Sequence, residues 1–148
     1  MDIEILKSLF ARDLNKLKEE ISLYKNEAAI WKTEGAISNA AGNLCLHLVG
    51  NLNTYIGAVY AHTGYVRNRP LEFSSKNISR DELIQKIDAT IQVVEQGLSN
   101  LAVENLKEDF PIIIWDKPAN TGYTLVHLCT HLSYHLGQVN YHRRLMDV

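Results

Sequence analysis

The sequence predicts an all-α protein, a four-helix bundle. Four long segments carry apolar residues at alternating spacings of three and four, the period of one helical face. No alternating, strand-like run is interleaved with them. Glycines and a capping pair punctuate the segments at their ends.

The first segment has Ile3, Leu6, Phe10, Leu14, Leu17, Ile21, Tyr24, Ala28 and Trp31 on one face, with Lys and Glu opposite, and Gly35 is expected to end it. The second is expected from near Ser38 to near His62, with Leu44, Leu48, Leu52, Tyr55, Ile56 and Val59 inward and Gly64 closing it. Residues 65–78, with Pro70 and Ser74-Ser75, read as a polar connection. Ser79 and Glu82 form an S-x-x-E pair that starts the third helix, whose face is Ile84, Ile87, Ile91, Val94, Leu98 and Leu101. Phe110 to Trp115, interrupted by Pro111 and followed by Pro118, reads as a strand-like piece or a loop over one end of the bundle. The fourth helix is expected from Thr121–Thr124 to about Met146.

A helix of ~25 residues is about 37 Å long, and fourteen extended residues reach ~50 Å. The 65–78 connection can therefore cross the bundle and leave helices 2 and 3 parallel. The linker before helix 4 is long enough too, so length alone leaves the topology open. The 148 residues suit a single domain, 1–148.

A formal net charge of -2 and the lack of a dense basic cluster argue against a nucleic-acid partner. No apolar run approaches the ~20 residues that span a bilayer, so no membrane partner is expected. Met1-Asp2-Ile3-Glu4 is acidic and periodic, unlike a signal peptide, and a cytoplasmic location is the expectation. Cys45 and Cys129 lie in apolar stretches and read as buried small hydrophobes rather than a disulfide or reactive thiols.

Of six histidines, His127, His131 and His135 share one register on the fourth helix. Residues four apart lie on one face, so His131 and His135 can turn two imidazoles toward one ion. His127 drifts too far around for all three to share it. The predicted inner seam is Leu128, His131, His135, Gln138, His142 and Leu145. Polar groups buried there without partners would be costly, and a metal would compensate. His47 adds a third imidazole within the apolar run Leu44-Cys45-Leu46-His47-Leu48-Val49. No Asp or Glu occurs between Glu34 and Glu72, or between Asp116 and Asp147. A cationic histidine on helix 2 or 4 would therefore lack an anion on its own helix, and the absence of Glu-x-x-His pairs there argues against a carboxylate-bridged di-iron centre. Three protein ligands with open positions fit a catalytic site. Asn51, one turn past His47, and Gln138, three past His135, are candidates for orienting ligands or binding substrate, with simple interhelical bonding as the alternative. His62 reads as a helix-end residue, His142 as a rim or interface residue, and His127 as an outer group or a satisfied core histidine. The bland alternative for the whole row is a polar core without metal.

The run His127-Leu-Cys-Thr-His131-Leu-Ser-Tyr-His135-Leu-Gly-Gln138 resembles the final-helix signature of the DinB/YfiT-like proteins, H-x-x-x-H-x-x-x-H-x-G-Q. His47 matches that family's third ligand, and the four segments match its bundle across nearly the whole chain. The resemblance implies an up-down-down-up order with 65–78 as the crossover. It implies ligation by His47, His131 and His135, with His127 outside the ligand set, and homodimers. It also implies a metal-dependent thiol S-transferase or related activity using a low-molecular-weight thiol.

The expected function is thus a metal-dependent hydrolase or thiol S-transferase acting on a small molecule through one divalent ion, zinc or nickel. The alternative is a non-catalytic metal-binding or stress-related bundle, and a third reading is a bundle making only protein contacts. Ile5 and Leu9, off the main seam of helix 1, motivate the homodimer.

Overall fold

Asp2 starts the chain's first helix by accepting a hydrogen bond from the Glu4 backbone N–H at 3.0 Å. In the computed structural model, which describes residues 1–148, this helix, α1, spans Ile3–Leu23. Ile3, Leu6, Phe10, Leu14, Leu17 and Ile21 are buried along it, the predicted face. It stops well before Gly35. Tyr24 turns to an extended ψ of 125°, and the Asp147 carboxylate accepts the backbone N–H groups of Lys25 and Asn26 at 2.6 and 2.9 Å. Asn26 then caps a separate 3-10 turn, Glu27–Trp31. Ala29 and Ile30 are buried there while Ala28 is exposed. Caps on both sides of the break thus override a period that continues through it.

Helix α2 spans Ala41–Leu52, starting after Ser38, and widens into a π-helical stretch, Asn53–Ala58. His62 and Gly64 then take left-handed φ angles of 52° and 71°. The 65–78 connection is not wholly irregular. It contains the short helix α3, Arg69–Ser74, capped by Asn68 with Pro70 in its first turn. Helix α4 spans Arg80–Ser99, with the predicted Ser79 cap accepting the Glu82 N–H at 3.2 Å. After a 3-10 turn, Val103–Lys107, helix α5 spans Thr121–Met146, capped by Asn120. Residues 111–115 form no strand; only isolated bridges, Asp109 with Asn120 and Trp115 with Lys117, occur in this region. The chain is all-helical, with five α-helices, four of them long. None is long and apolar enough to cross a membrane.

A cluster of 26 buried residues forms the core. Helix α1 packs against α4 and α5, and so does α2. Pairings along each contact give directions. Lys7 meets Glu95 and Lys18 meets Asp88, so α1 and α4 are antiparallel. Asn53 bonds Thr90 and Ile56 packs on Gly97, so α2 and α4 run the same way. A Cβ on Gly97 would stand 2.7 Å from Ile56 Cγ2, so this close approach requires glycine. His47 meets His131 while Tyr60 meets Thr121, so α2 and α5 are antiparallel.

The inner seam of α5 differs from the predicted one. Leu125, Leu128, Leu132, Val139 and Met146 are buried, whereas Gln138 is exposed and Leu145 is 59% exposed. Helix α5 carries apolar residues on more than one face, and the aliphatic set wins the core. His131 and His135 are left at its edge, facing His47 on α2.

Candidate functional site

His47 stands in the middle of α2, 7% exposed, among residues that are nearly all buried. His131 and His135 are one turn apart on α5 and half-buried. The three rings converge. His47 and His131 face each other Nε2 to Nε2 at 3.2 Å. Ring centroids are 5.1 Å apart for His47 and His131, 5.3 Å for His47 and His135, and 4.6 Å for His131 and His135. Each ring offers a nitrogen within 4.8 Å of those of the other two, close enough for one ion.

A carboxylate absent from α2 itself reaches the site from the crossover. Glu72, 6% exposed on α3, places Oε1 3.1 Å from His47 Nδ1. The ring donates its Nδ1 proton there, which turns the Nε2 lone pair toward His131. Arg67 grips the same carboxylate with both arms, Nε to Oε2 at 2.8 Å and Nη2 to Oε1 at 2.9 Å. Helix α3 is itself anchored: Asn43 on α2 donates to the carbonyls of Glu72 and Ser75 at 3.0 and 2.8 Å. Gly50 lets the carboxylate lie against α2, since a Cβ there would stand 2.0 Å from Glu72 Oε2.

His135 donates from Nδ1 to Gln138 Oε1 at 2.7 Å, one turn along the same helix. Asn51 is buried and its Oδ1 has no hydrogen-bond partner; His131 Nδ1 also has none. Interhelical bonding therefore does not account for the Asn51 oxygen. His127 lies outside the cluster, its ring stacked 6.1 Å from that of His131 and edge-on to Trp115 at 4.7 Å. Trp115 thus brings the 111–115 segment over that end of the histidine row.

The electrostatics favour neutral rings at His47 and His131. Burial holds His131 down to about 4, assisted by His135, His47, His127 and Arg67. Burial also lowers His47, although Glu72 opposes the shift. Neutral imidazole is the form that ligates a metal.

The other histidines and the cysteines separate from the site. His62 is exposed at a left-handed position. His142 is not a rim residue: it is 4% exposed, with Nδ1 2.7 Å from Tyr24 Oη and Nε2 2.8 Å from the Lys32 carbonyl. Cys45 and Cys129 are free and buried, as expected, and burial pushes the Cys45 thiol up to about 12. Glu72 and Arg67 are the residues missed from sequence. The available signal was Glu72 itself, the first acid after the gap that begins at Glu34.

Fold and site together define an all-helical protein with a cluster of three histidines at the edge of its core. The chain belongs to the family described as protein of unknown function (DUF1572), whose profile matches residues 3–147. Its fold is similar to that of a crystal structure described as the conserved protein of locus from Enterococcus faecalis. The TM-score is 0.76 over 97% of this chain and 95% of that chain, and at 17% identity the likeness is one of fold alone. No curated protein is significantly similar to the chain.

Proposed function

We propose that this chain is a DinB/YfiT-like four-helix bundle that holds one divalent ion, zinc or nickel, with His47, His131 and His135. The up-down-down-up order is supported by the parallel pairing of α2 with α4 and the antiparallel pairings of α1 with α4 and α2 with α5. The observation that carries the metal reading is the 3.2 Å approach of two Nε2 atoms with His135 beside them. Ligands ~2.0–2.1 Å from a tetrahedral zinc lie roughly 3.4 Å from one another. The donor set fits: Glu72 and Gln138 occupy the Nδ1 protons of His47 and His135, leaving their Nε2 lone pairs for an ion.

The function supported best is a metal-dependent hydrolase or thiol S-transferase acting on a small molecule, in the cytoplasm. Bound there, the ion supplies Lewis acidity that makes a water or low-molecular-weight thiol nucleophilic at neutral pH. The protein's own groups do the positioning. Glu72, held by Arg67, fixes the tautomer and tilt of His47. Gln138 fixes His135. Asn51, one turn past His47, carries a buried amide oxygen with no protein partner, an acceptor for a group bound at the cluster. His127 and Trp115 screen the row from one end.

Elemental analysis of the purified protein tests the metal reading. About one equivalent of a divalent transition metal is expected, most of it lost in His131→Ala and retained in His62→Ala. Metal-free protein that takes up neither zinc nor nickel would overturn it. A homodimer is also proposed, through the end where Met1, Val103, Tyr123 and Val126 line a shared groove and Ile5 is exposed. Leu9, by contrast, packs on the core. Sedimentation showing only monomer at micromolar concentration would count against the dimer.

A further inference from the structure

Beside His135 the surface opens into a cleft of ≈ 530 Å³ between α5 and the segment leading into α2. That is the size of a small-molecule site. Ile37, Leu44, Tyr134, Tyr141 and Leu145 supply its apolar wall. Ser38, Asn39 and Gln138 supply uncharged polar groups.

The cleft is lined by no Lys, Arg, Asp or Glu. This follows from the two elements that build it. The sequence has no formal charge between Glu34 and Arg67, nor between Lys117 and Arg143. Titratable His142, in the wall, has both ring nitrogens bonded, to Tyr24 and to the Lys32 carbonyl. Of the cations outside the lining, Arg67 is bound to Glu72, Lys32 reaches the Met146 carbonyl at 3.4 Å, and Arg144 lies over the ring of the wall residue Tyr141 at 5.1 Å. A carboxylate-bearing ligand body would lose its hydration here and gain no countercharge from the lining.

We infer that this cleft selects a small molecule with an uncharged, apolar body, oriented so that a ligating head reaches the His47–His131–His135 cluster past His135. The inference rests on the metal reading above and adds the class of ligand. It excludes polyanionic thiols as preferred occupants. Aromatic or aliphatic bodies pack against Tyr134, Tyr141 and Leu145, which are 67%, 63% and 59% exposed and otherwise wet.

The test uses cobalt-loaded protein titrated with two thiols that share the ligating group, benzyl mercaptan and mercaptosuccinate. The thiolate-to-cobalt absorption band is the readout. Benzyl mercaptan is expected to bind at least about tenfold more tightly, and Leu145→Asp, at an exposed position, is expected to erase that preference with cobalt uptake unchanged. Equal or tighter binding of mercaptosuccinate, or an unaltered preference in Leu145→Asp, overturns the inference while leaving the metal site intact. Failure to take up cobalt overturns the metal reading and the ligating head with it. Sedimentation of both proteins covers the remaining occupant: if Leu145→Asp turns a dimer into a monomer and neither thiol discriminates, a second copy covers this face and the inference falls.

Discussion

Glu72 Oε1 and His47 Nδ1 lie 3.1 Å apart although one side chain comes from the crossover and the other from the middle of α2. The contact makes the crossover part of the site. It yields the first prediction: Glu72→Gln weakens zinc affinity by roughly 10–100-fold, the usual effect of losing a carboxylate behind a ligating histidine. Competition against a chromophoric chelator measures it. Wild-type affinity in the variant would reduce Glu72 to a structural anchor.

Gly50→Ala tests the same arrangement from the helix side. The new methyl would stand 2.0 Å from Glu72 Oε2, and Arg67 holds that carboxylate in place. Overpacking of this kind typically costs ~1–3 kcal/mol. The expected outcome is a lower urea midpoint together with weaker zinc binding, since His47 loses its orienting partner. A variant that is less stable but binds zinc normally would show that Glu72 can move without consequence for the cluster.

Chelation should leave the fold in place. The core of 26 buried residues comes mainly from α1, α2, α4 and α5 and is apolar throughout. If the proposed site holds zinc, saturation at 100 times its Kd adds about 2.7 kcal/mol, which for a chain of this length shifts Tm by roughly 5–10 °C. Unchanged helical circular dichroism after chelation, with a Tm lowered by that amount, is expected. Wholesale unfolding would mark the site as structural.

His142 predicts an acid dependence of stability. Burial lowers its folded pKa from 6.5, against the opposing bond to the Lys32 carbonyl. The unfolded chain therefore binds more protons at that residue once the pH falls below 6.5. By linkage, its contribution to stability is present above that pH and is lost as pH falls through the lower folded value. Metal-free protein should show a smaller loss of urea midpoint between neutral and mildly acidic pH in His142→Gln than in the wild type. An identical slope in the two proteins would assign the dependence elsewhere.

What the sequence made legible was local. The spacing of His131 and His135 places both on one face, and Ser79 with Glu82 marks a helix start without tertiary information. Helix α1 reads as longer than it is because Ala28 and Trp31 continue the helical period across a break made by Asn26 and the distant Asp147. The inner seam of α5 was misplaced because its apolar residues occupy more than one face, and only the packing of α1 and α2 decides which is buried. Glu72 was hidden for the same reason: a polar connection gives no periodic signal, and its contact spans 25 residues.

The distance along the chain between His47 and His131, 84 residues, has a kinetic consequence. No fragment short of one that docks α2 on α5 contains the cluster, so local helix formation alone cannot create an ion's binding site. Zinc would then hold together contacts made at the end of folding, and its main effect would fall on the unfolding rate rather than on the folding rate. The loaded protein would gain its persistence against proteolysis and heat chiefly through slower opening of the seam between those two helices.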